Sequence, residues 1–131
     1  MIGYNSEMPE SHSQTVFVVD DEPGTASTIA AILNASGFQA TAFTDAEKVM
    51  QAAESCCPSI LISDVVMPRM NGIELAIRFK ATWPKCKILL FSGNTSANSL
   101  MEVATKEGHA FTLMSKSILP NDLVAAIAKL Y

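Results

Sequence analysis

The chain has 131 residues, of which 49% are hydrophobic and 17% are charged, and its formal net charge is −4. That length predicts one domain, and the hydrophobic content is enough to fill a core, which excludes disorder over most of the chain. An acidic chain without a dense Lys/Arg cluster is a poor nucleic-acid binder by itself. No apolar run approaches the roughly 20 residues that span a bilayer, so no membrane association is expected.

Residues 1–14 are polar, contain no Lys or Arg and show no hydrophobic period. They predict a flexible N-terminal tail rather than a signal peptide, with the folded domain over residues 15–131. Three cysteines form neither a CxxC motif nor an even set, which predicts unpaired thiols in a reducing cytoplasm. They are Cys56, Cys57 and Cys86.

After the tail, short apolar runs alternate five times with longer stretches of helical period. The predicted strands are 15–19, 38–43, 60–62, 87–91 and 110–115. The predicted helices end before Gly37 and Pro58, cover 72–81 and about 95–107, and begin at Pro120. Asp45 or Thr44 is the expected cap of the second helix. Strands that alternate with helices predict an α/β fold with a doubly wound, five-stranded parallel sheet and five helices.

Polar side chains follow four of the five predicted strands. The strand ends are Asp20-Asp21, Ser63-Asp64, Ser92-Gly93 and Ser115-Lys116. In an open parallel sheet, ligands bind outside the carboxyl ends of the strands, so these groups are expected to meet at one edge. Three carboxylates at close range repel unless a proton or a cation lies among them. An oxygen-only ligand set favours Mg²⁺ or another hard ion.

Together these groups can hold a phosphoryl group. The metal and the ammonium group of Lys116 neutralise its oxygens, the hydroxyl group of Ser92 donates a hydrogen bond, and one carboxylate can attack phosphorus. Taken singly, each residue has an ordinary explanation as a turn, a helix cap or solvated surface. Their conjunction at one edge of the sheet favours a site.

The chain resembles the receiver domain of two-component response regulators, of the single-domain chemotaxis type. The resemblance covers about residues 15–131. It rests on the acidic segment 18–22 (VVDDE), the phospho-acceptor loop 64–72 (DVVMPRMNG), the switch segment 91–93 (FSG) and the lysine loop 116–120 (KSILP). It implies a flavodoxin-like sheet with strand order 2-1-3-4-5 in a cytoplasmic signalling protein.

The resemblance also implies a role for each acidic residue. Asp64 is the expected phosphorylation site, which takes a phosphoryl group from a histidine kinase or a phosphotransfer protein as an acyl phosphate. Asp21 and Asp64 are expected to ligate Mg²⁺ directly, Asp20 largely through water, and the backbone carbonyl of Val66 completes the protein ligands.

The remaining residues of the motif complete the expected switch. Lys116 is expected to pair with Asp64 and then with the phosphoryl group, Ser92 to bond a phosphoryl oxygen, and Gly93 to leave room for it. Self-phosphorylation and autodephosphorylation are then the only chemistry, so the chain is not expected to be a classical enzyme. The new charge biases a surface towards a downstream target protein.

Two positions depart from the family's pattern. Ser117 follows Lys116, where the family usually has a proline with a cis peptide bond. Because a cis bond before another residue costs about 2.5–4 kcal/mol, the Lys116–Ser117 bond is expected to be trans and Lys116 to be aimed less firmly. Leu113 replaces the usual aromatic switch residue, and Phe111 on the same strand face is either a substitute or a core residue.

Other functions stay open at this point. A pseudo-receiver that binds partners without phosphorylation is favoured by Ser117 and Leu113, but the otherwise complete motif argues against it. A nucleotide or flavin binder is disfavoured because the Asp20-Asp21 pair would repel a cofactor phosphate. A haloacid-dehalogenase-like phosphatase needs a second aspartate that 64–66 lacks. If the chain is complete, its output is expected through protein–protein contact or phosphoryl relay. If it is part of a longer protein, an output domain is expected beyond residue 131.

Overall fold

The computed structural model describes residues 14–92, 105–106, 108, 111–115 and 120–129. One five-stranded parallel sheet has the order β2-β1-β3-β4-β5. The strands are β1 Thr15–Val19, β2 Gln39–Phe43, β3 Ile60–Asp64, β4 Lys87–Ser92 and β5 Thr112–Ser115. The helices are α1 Pro23–Ala35, α2 Ala46–Ser55, α3 Gly72–Thr82 and α4 Pro120–Ala128.

The strand order and the parallel pairing confirm the predicted fold. The helix count differs, because four helices, not five, lie within the described residues. The expected helix over 95–107 falls outside them except for residues 105 and 106, which are helical. The predicted tail also falls outside them, apart from Gln14.

The sheet is covered on both faces, as expected from its continuous apolar strands. Alternate residues of β1 show this directly. Val16 and Val18 pack into a core with α1 and α4, whereas Phe17 and Val19 pack into a second core with α2 and α3. Strand β1 and its neighbour β3 are therefore held rigidly, which fixes the residues at their carboxyl ends.

Local sequence sets where the helices begin. The Oδ1 atom of Asp45 accepts a hydrogen bond of 2.7 Å from the backbone N–H of Glu47, which makes Asp45 rather than Thr44 the cap of α2. Helix α3 begins with a capping box in which Asn71 and Glu74 bond each other's backbone N–H groups at 2.9 and 3.0 Å. Both caps lie at the same edge of the sheet as the predicted site.

Strand β2 forms one edge of the sheet. Its first residue donates from the Gln39 N–H to the carbonyl of Gln14, towards β1. The backbone of Ala40 faces the opposite way, and both of its polar groups bond the side-chain amide of Asn34 in α1. The Ala40 N–H donates to Asn34 Oδ1 at 2.8 Å, and Asn34 Nδ2 donates to the Ala40 carbonyl at 3.1 Å.

Candidate functional site

Three aspartates meet at the carboxyl ends of β1 and β3. Asp20 is fully buried and Asp64 is 4% exposed, whereas Asp21 is exposed. Each offers one carboxylate oxygen, and these oxygens lie within 4.8 Å of one another. The neighbouring positions of β1 and β3 in the sheet explain this convergence, as expected from the sequence.

The two buried carboxylates are oriented by backbone donors. Asp20 Oδ1 accepts a hydrogen bond of 2.9 Å from the N–H of Glu22, where the chain turns into α1. Asp64 Oδ1 accepts a longer one of 3.4 Å from the N–H of Val66. Val66 is 42% exposed, and its backbone N–H makes this contact with Asp64.

The loop between β3 and α3, residues 65–71, is closed tightly at its base. Val65 donates to the Phe91 carbonyl at 2.9 Å and accepts from the Gly72 N–H at 2.7 Å. A β-carbon on Gly72 would overlap the carbonyl oxygen of Asp64 and would lie 3.0 Å from the hydroxyl oxygen of Ser63. Gly72 is therefore required by its close approach to the backbone of Asp64, a reason that the motif alone did not supply.

The tip of this loop carries an ion pair that sequence reasoning missed. Arg69 has a φ of +69°, in the left-handed region. Its Nη2 atom lies 3.2 Å from Asp45 Oδ2, and the two side chains are 81% and 27% exposed. The pair joins residues 24 positions apart, and no sequence pattern marks it.

Three acidic groups lie close together in the described part of the pocket. Partial burial raises the pKa of Asp21, and a hydrogen bond with Asp20 and the negative charge of Asp20 raise it further. A cation among the carboxylates would relieve this repulsion. Because all three donors are oxygen atoms, the pocket can hold a hard metal ion.

Ser92 ends β4 at the same edge of the sheet. It is 7% exposed, and it lies one residue beyond Phe91, the register partner of Asp64. Gly93, Lys116 and Ser117 lie outside the described residues. The lysine loop and its peptide geometry therefore stay predictions.

The expected aromatic switch position lies on β5. Leu113 is half-buried and packs against the core formed with α2 and α3. Phe111, just before β5, is also half-buried and packs against the same core. Both side chains thus share one face of the sheet, and the contacts of Phe111 favour its interpretation as a core residue.

Comparison with known proteins identifies the family. The response regulator receiver domain family matches residues 16–128, and the chain belongs to this family. The transcriptional regulatory protein FixJ of Bradyrhizobium diazoefficiens is 33% identical over 79 residues, which cover 60% of this chain and 38% of FixJ. The DNA-binding transcriptional regulator NtrC of Escherichia coli K12 is 28% identical over 113 residues, which cover 86% of this chain and 23% of NtrC. The chain thus spans less than half of the length of these relatives.

Solved structures show the same fold. A two component transcriptional regulator AraC from Clostridium phytofermentans is 29% identical with a TM-score of 0.74, over 90% of this chain and 91% of that one. The chemotaxis protein CheY4 of Vibrio cholerae has a TM-score of 0.78 at 23% identity, over 91% and 99% of the two chains. Within the described ranges, no helix is both long enough and apolar enough to cross a membrane.

Proposed function

We propose that Asp64 is the residue through which this receiver domain accepts a phosphoryl group from a histidine kinase or a phosphotransfer protein. The observation that carries the proposal is the position of Asp64, which ends a buried strand within 4.8 Å of two further carboxylates. A pseudo-receiver has no need of such a pocket, because the clustered charges oppose folding without serving a partner. No contact of the described residues favours that alternative.

Mg²⁺ is the proposed cofactor, held by Asp21 and Asp64 directly, by Asp20 largely through water, and by the carbonyl of Val66. The oxygen-only donor set supports this choice, since Mg²⁺ prefers carboxylates and retained waters. When bound, the ion neutralises the carboxylates and the oxygens of the incoming phosphoryl group.

The reaction is a transfer between two nucleophiles. A carboxylate oxygen of Asp64 attacks phosphorus, the P–N bond to the donor histidine breaks, and the histidine nitrogen takes up a proton. Hydrolysis of the resulting acyl phosphate by water restores the carboxylate. Close packing of Gly72 against the Asp64 backbone supports the positioning that such a transfer requires.

The remaining site residues act on the transferred group. The Ser92 hydroxyl group is proposed to donate to a phosphoryl oxygen, Gly93 to leave room for it, and Lys116 to neutralise it. The burial of Ser92 at the end of β4 supports this proposal, because Ser92 directly follows Phe91, the register partner of Asp64 in β3.

The added charge is proposed to shift the domain towards a state that binds a downstream target protein. A cytoplasmic location is proposed as well. The three cysteines support it, because all are free thiols, as suits a reducing compartment.

Intact-mass measurement tests the phosphorylation site. Incubation with Mg²⁺ and acetyl phosphate is expected to add one phosphoryl group to the wild type and none to Asp64→Asn. Asp122→Asn is the control, because it removes an exposed carboxylate in α4. Labelling that persists in Asp64→Asn contradicts the assigned site. A wild type that no small donor or phosphorylated histidine protein labels favours the pseudo-receiver.

A further inference from the structure

The left-handed backbone of Arg69 needs an explanation. A residue with a β-carbon adopts a φ of +69° rarely, and glycine, asparagine and aspartate do so much more readily than arginine. Such residues persist where the surrounding structure holds them, and they cluster at binding sites. Arg69 lies in the loop between β3 and α3, three residues after Val66 and five after Asp64.

Few polar contacts hold the tip of this loop, residues 66–70. Within it, the N–H of Met70 donates to the Pro68 carbonyl at 2.8 Å. Met67 is buried in the core formed with α2 and α3. The ion pair of Arg69 with Asp45 joins the tip to the start of α2, and the N–H of Val66 donates a longer hydrogen bond of 3.4 Å to Asp64 Oδ1.

Asp45 is a firm anchor for this ion pair. Its Oδ1 atom caps α2 through the Glu47 N–H at 2.7 Å, which leaves Oδ2 for Arg69. Helix α2 is itself fixed by Val49 and Ala53, which are buried in the core. The Asp45 carboxylate therefore links the packed helix α2 to the exposed loop tip that carries Arg69.

We propose that Arg69 and Asp45 are positioning residues for metal binding. The ion pair holds the loop tip in its left-handed turn, so that the backbone of Val66 is in place before the ion arrives. A loop that is ordered in advance loses less conformational freedom on binding and therefore binds more tightly. The proposal rests on the assignment of the aspartate pocket as a Mg²⁺ site.

Arg69→Gln separates positioning from simple charge effects. Removal of a positive charge near the pocket would by itself strengthen Mg²⁺ binding, whereas loss of positioning weakens it. The matched control is Arg78→Gln, the same change at an exposed residue of α3. Asp45→Asn is the second variant, because asparagine caps a helix as well as aspartate does but carries no charge.

Isothermal titration calorimetry of the metal-free chain with MgCl₂ measures the effect. We expect Arg69→Gln and Asp45→Asn each to raise the Mg²⁺ dissociation constant about two- to five-fold, which is the range of a partly exposed ion pair. The double variant is expected to bind Mg²⁺ no more weakly than the weaker-binding single variant, because both substitutions remove the same ion pair. Arg78→Gln is expected to leave the constant unchanged or to lower it, and high salt is expected to shrink the difference between the wild type and Arg69→Gln.

A further variant distinguishes positioning from stability. Glycine accepts the left-handed backbone, so Arg69→Gly is expected to keep or raise resistance to urea while it weakens Mg²⁺ binding. The proposal is overturned if Arg69→Gln binds Mg²⁺ as tightly as the wild type or more tightly. A wild type that binds no Mg²⁺ overturns the assignment of the pocket itself, which is a separate result.

Discussion

Neutralising Asp20 should stabilise the metal-free protein and weaken its response to Mg²⁺. Asp20 is fully buried beside Asp64 and Asp21, so in Asp20→Asn the repulsion among the three carboxylates is largely removed. The hydrogen bond from the Glu22 N–H survives, because an asparagine Oδ1 accepts it equally well.

The spacing of the carboxylates sets the magnitude. At the 4.8 Å limit of their separation, two unit charges repel by about 3.5 kcal/mol at an effective dielectric constant of about 20, which suits the buried pair of Asp20 and Asp64. The repulsion between Asp20 and the exposed Asp21 is about 0.9 kcal/mol in a water-like dielectric. The raised pKa of Asp21 reflects this repulsion, and solvent on the exposed side of the pocket, at Asp21, screens part of it. A net stabilisation of about 2 kcal/mol is therefore expected, or about 8 °C in Tm.

Urea unfolding with EDTA, repeated with saturating MgCl₂, measures both effects. The wild type is expected to gain about 2.7 kcal/mol at a Mg²⁺ concentration 100 times the dissociation constant, and Asp20→Asn clearly less. Glu54→Gln, an exposed change in α2, should move stability by less than about 0.5 kcal/mol in either buffer. An Asp20→Asn protein that is less stable than the wild type in EDTA would refute the reasoning, as would an undiminished response to Mg²⁺.

Three further outcomes are expected. Gly72→Ala should destabilise the fold by about 1–3 kcal/mol and slow phosphorylation of Asp64, because the new β-carbon overlaps the Asp64 carbonyl oxygen. The control Gly24→Ala should be neutral or stabilising, because its β-carbon would have nothing within 4 Å. Equal urea midpoints for the two variants would contradict this prediction. A thiol reagent should label the two exposed cysteines of the native protein but not Cys86, because burial raises the pKa of the Cys86 thiol to about 12. Equal labelling rates for the three cysteines in a time course would contradict this. Because the pKa of Asp21 is raised above its ordinary value of 3.8, the protonated carboxyl group adds stability that is fully present below pH 3.8 and is lost as the pH rises through the pKa of the folded protein. In EDTA, the free energy of unfolding of the wild type relative to Asp21→Asn should therefore fall over that range. A difference between the two proteins that stays constant with pH in urea titrations would argue against this.

Sequence pattern was sufficient for the framework of the site. Short, β-branched apolar runs such as 15–19 predict strands buried on both faces, and polar residues directly after such strands are expected at the carboxyl edge of the sheet. That logic alone predicts that Asp20, Asp21 and Asp64 lie together, as the structure confirms. The prediction works because the end of each strand can be recognised from local sequence, and the parallel sheet then places the carboxyl ends of neighbouring strands side by side.

Contacts between loops could not be predicted in the same way. The ion pair of Arg69 with Asp45 joins two loops whose relative position depends on the packing of α2 and α3. The tight approach of Gly72 to Asp64 likewise depends on how the loop closes. The sequence motif contains the glycine but does not show which atoms it approaches. The choice of Asp45 over Thr44 as a cap was open for the same reason, since both residue types bond helix N–H groups.

The side-chain amide of Asn34 has a consequence for self-association. An exposed edge strand offers unpaired backbone groups to which a strand of another molecule can add, and such addition starts aggregation. By the alternation of the strand, Ala40 and Ala42 are the residues of β2 whose backbones face away from β1, and Asn34 occupies both polar groups of Ala40. Within the described residues this leaves one outward position, which is too short for an intermolecular ladder, so a helix shields the β2 edge of the sheet from strand addition.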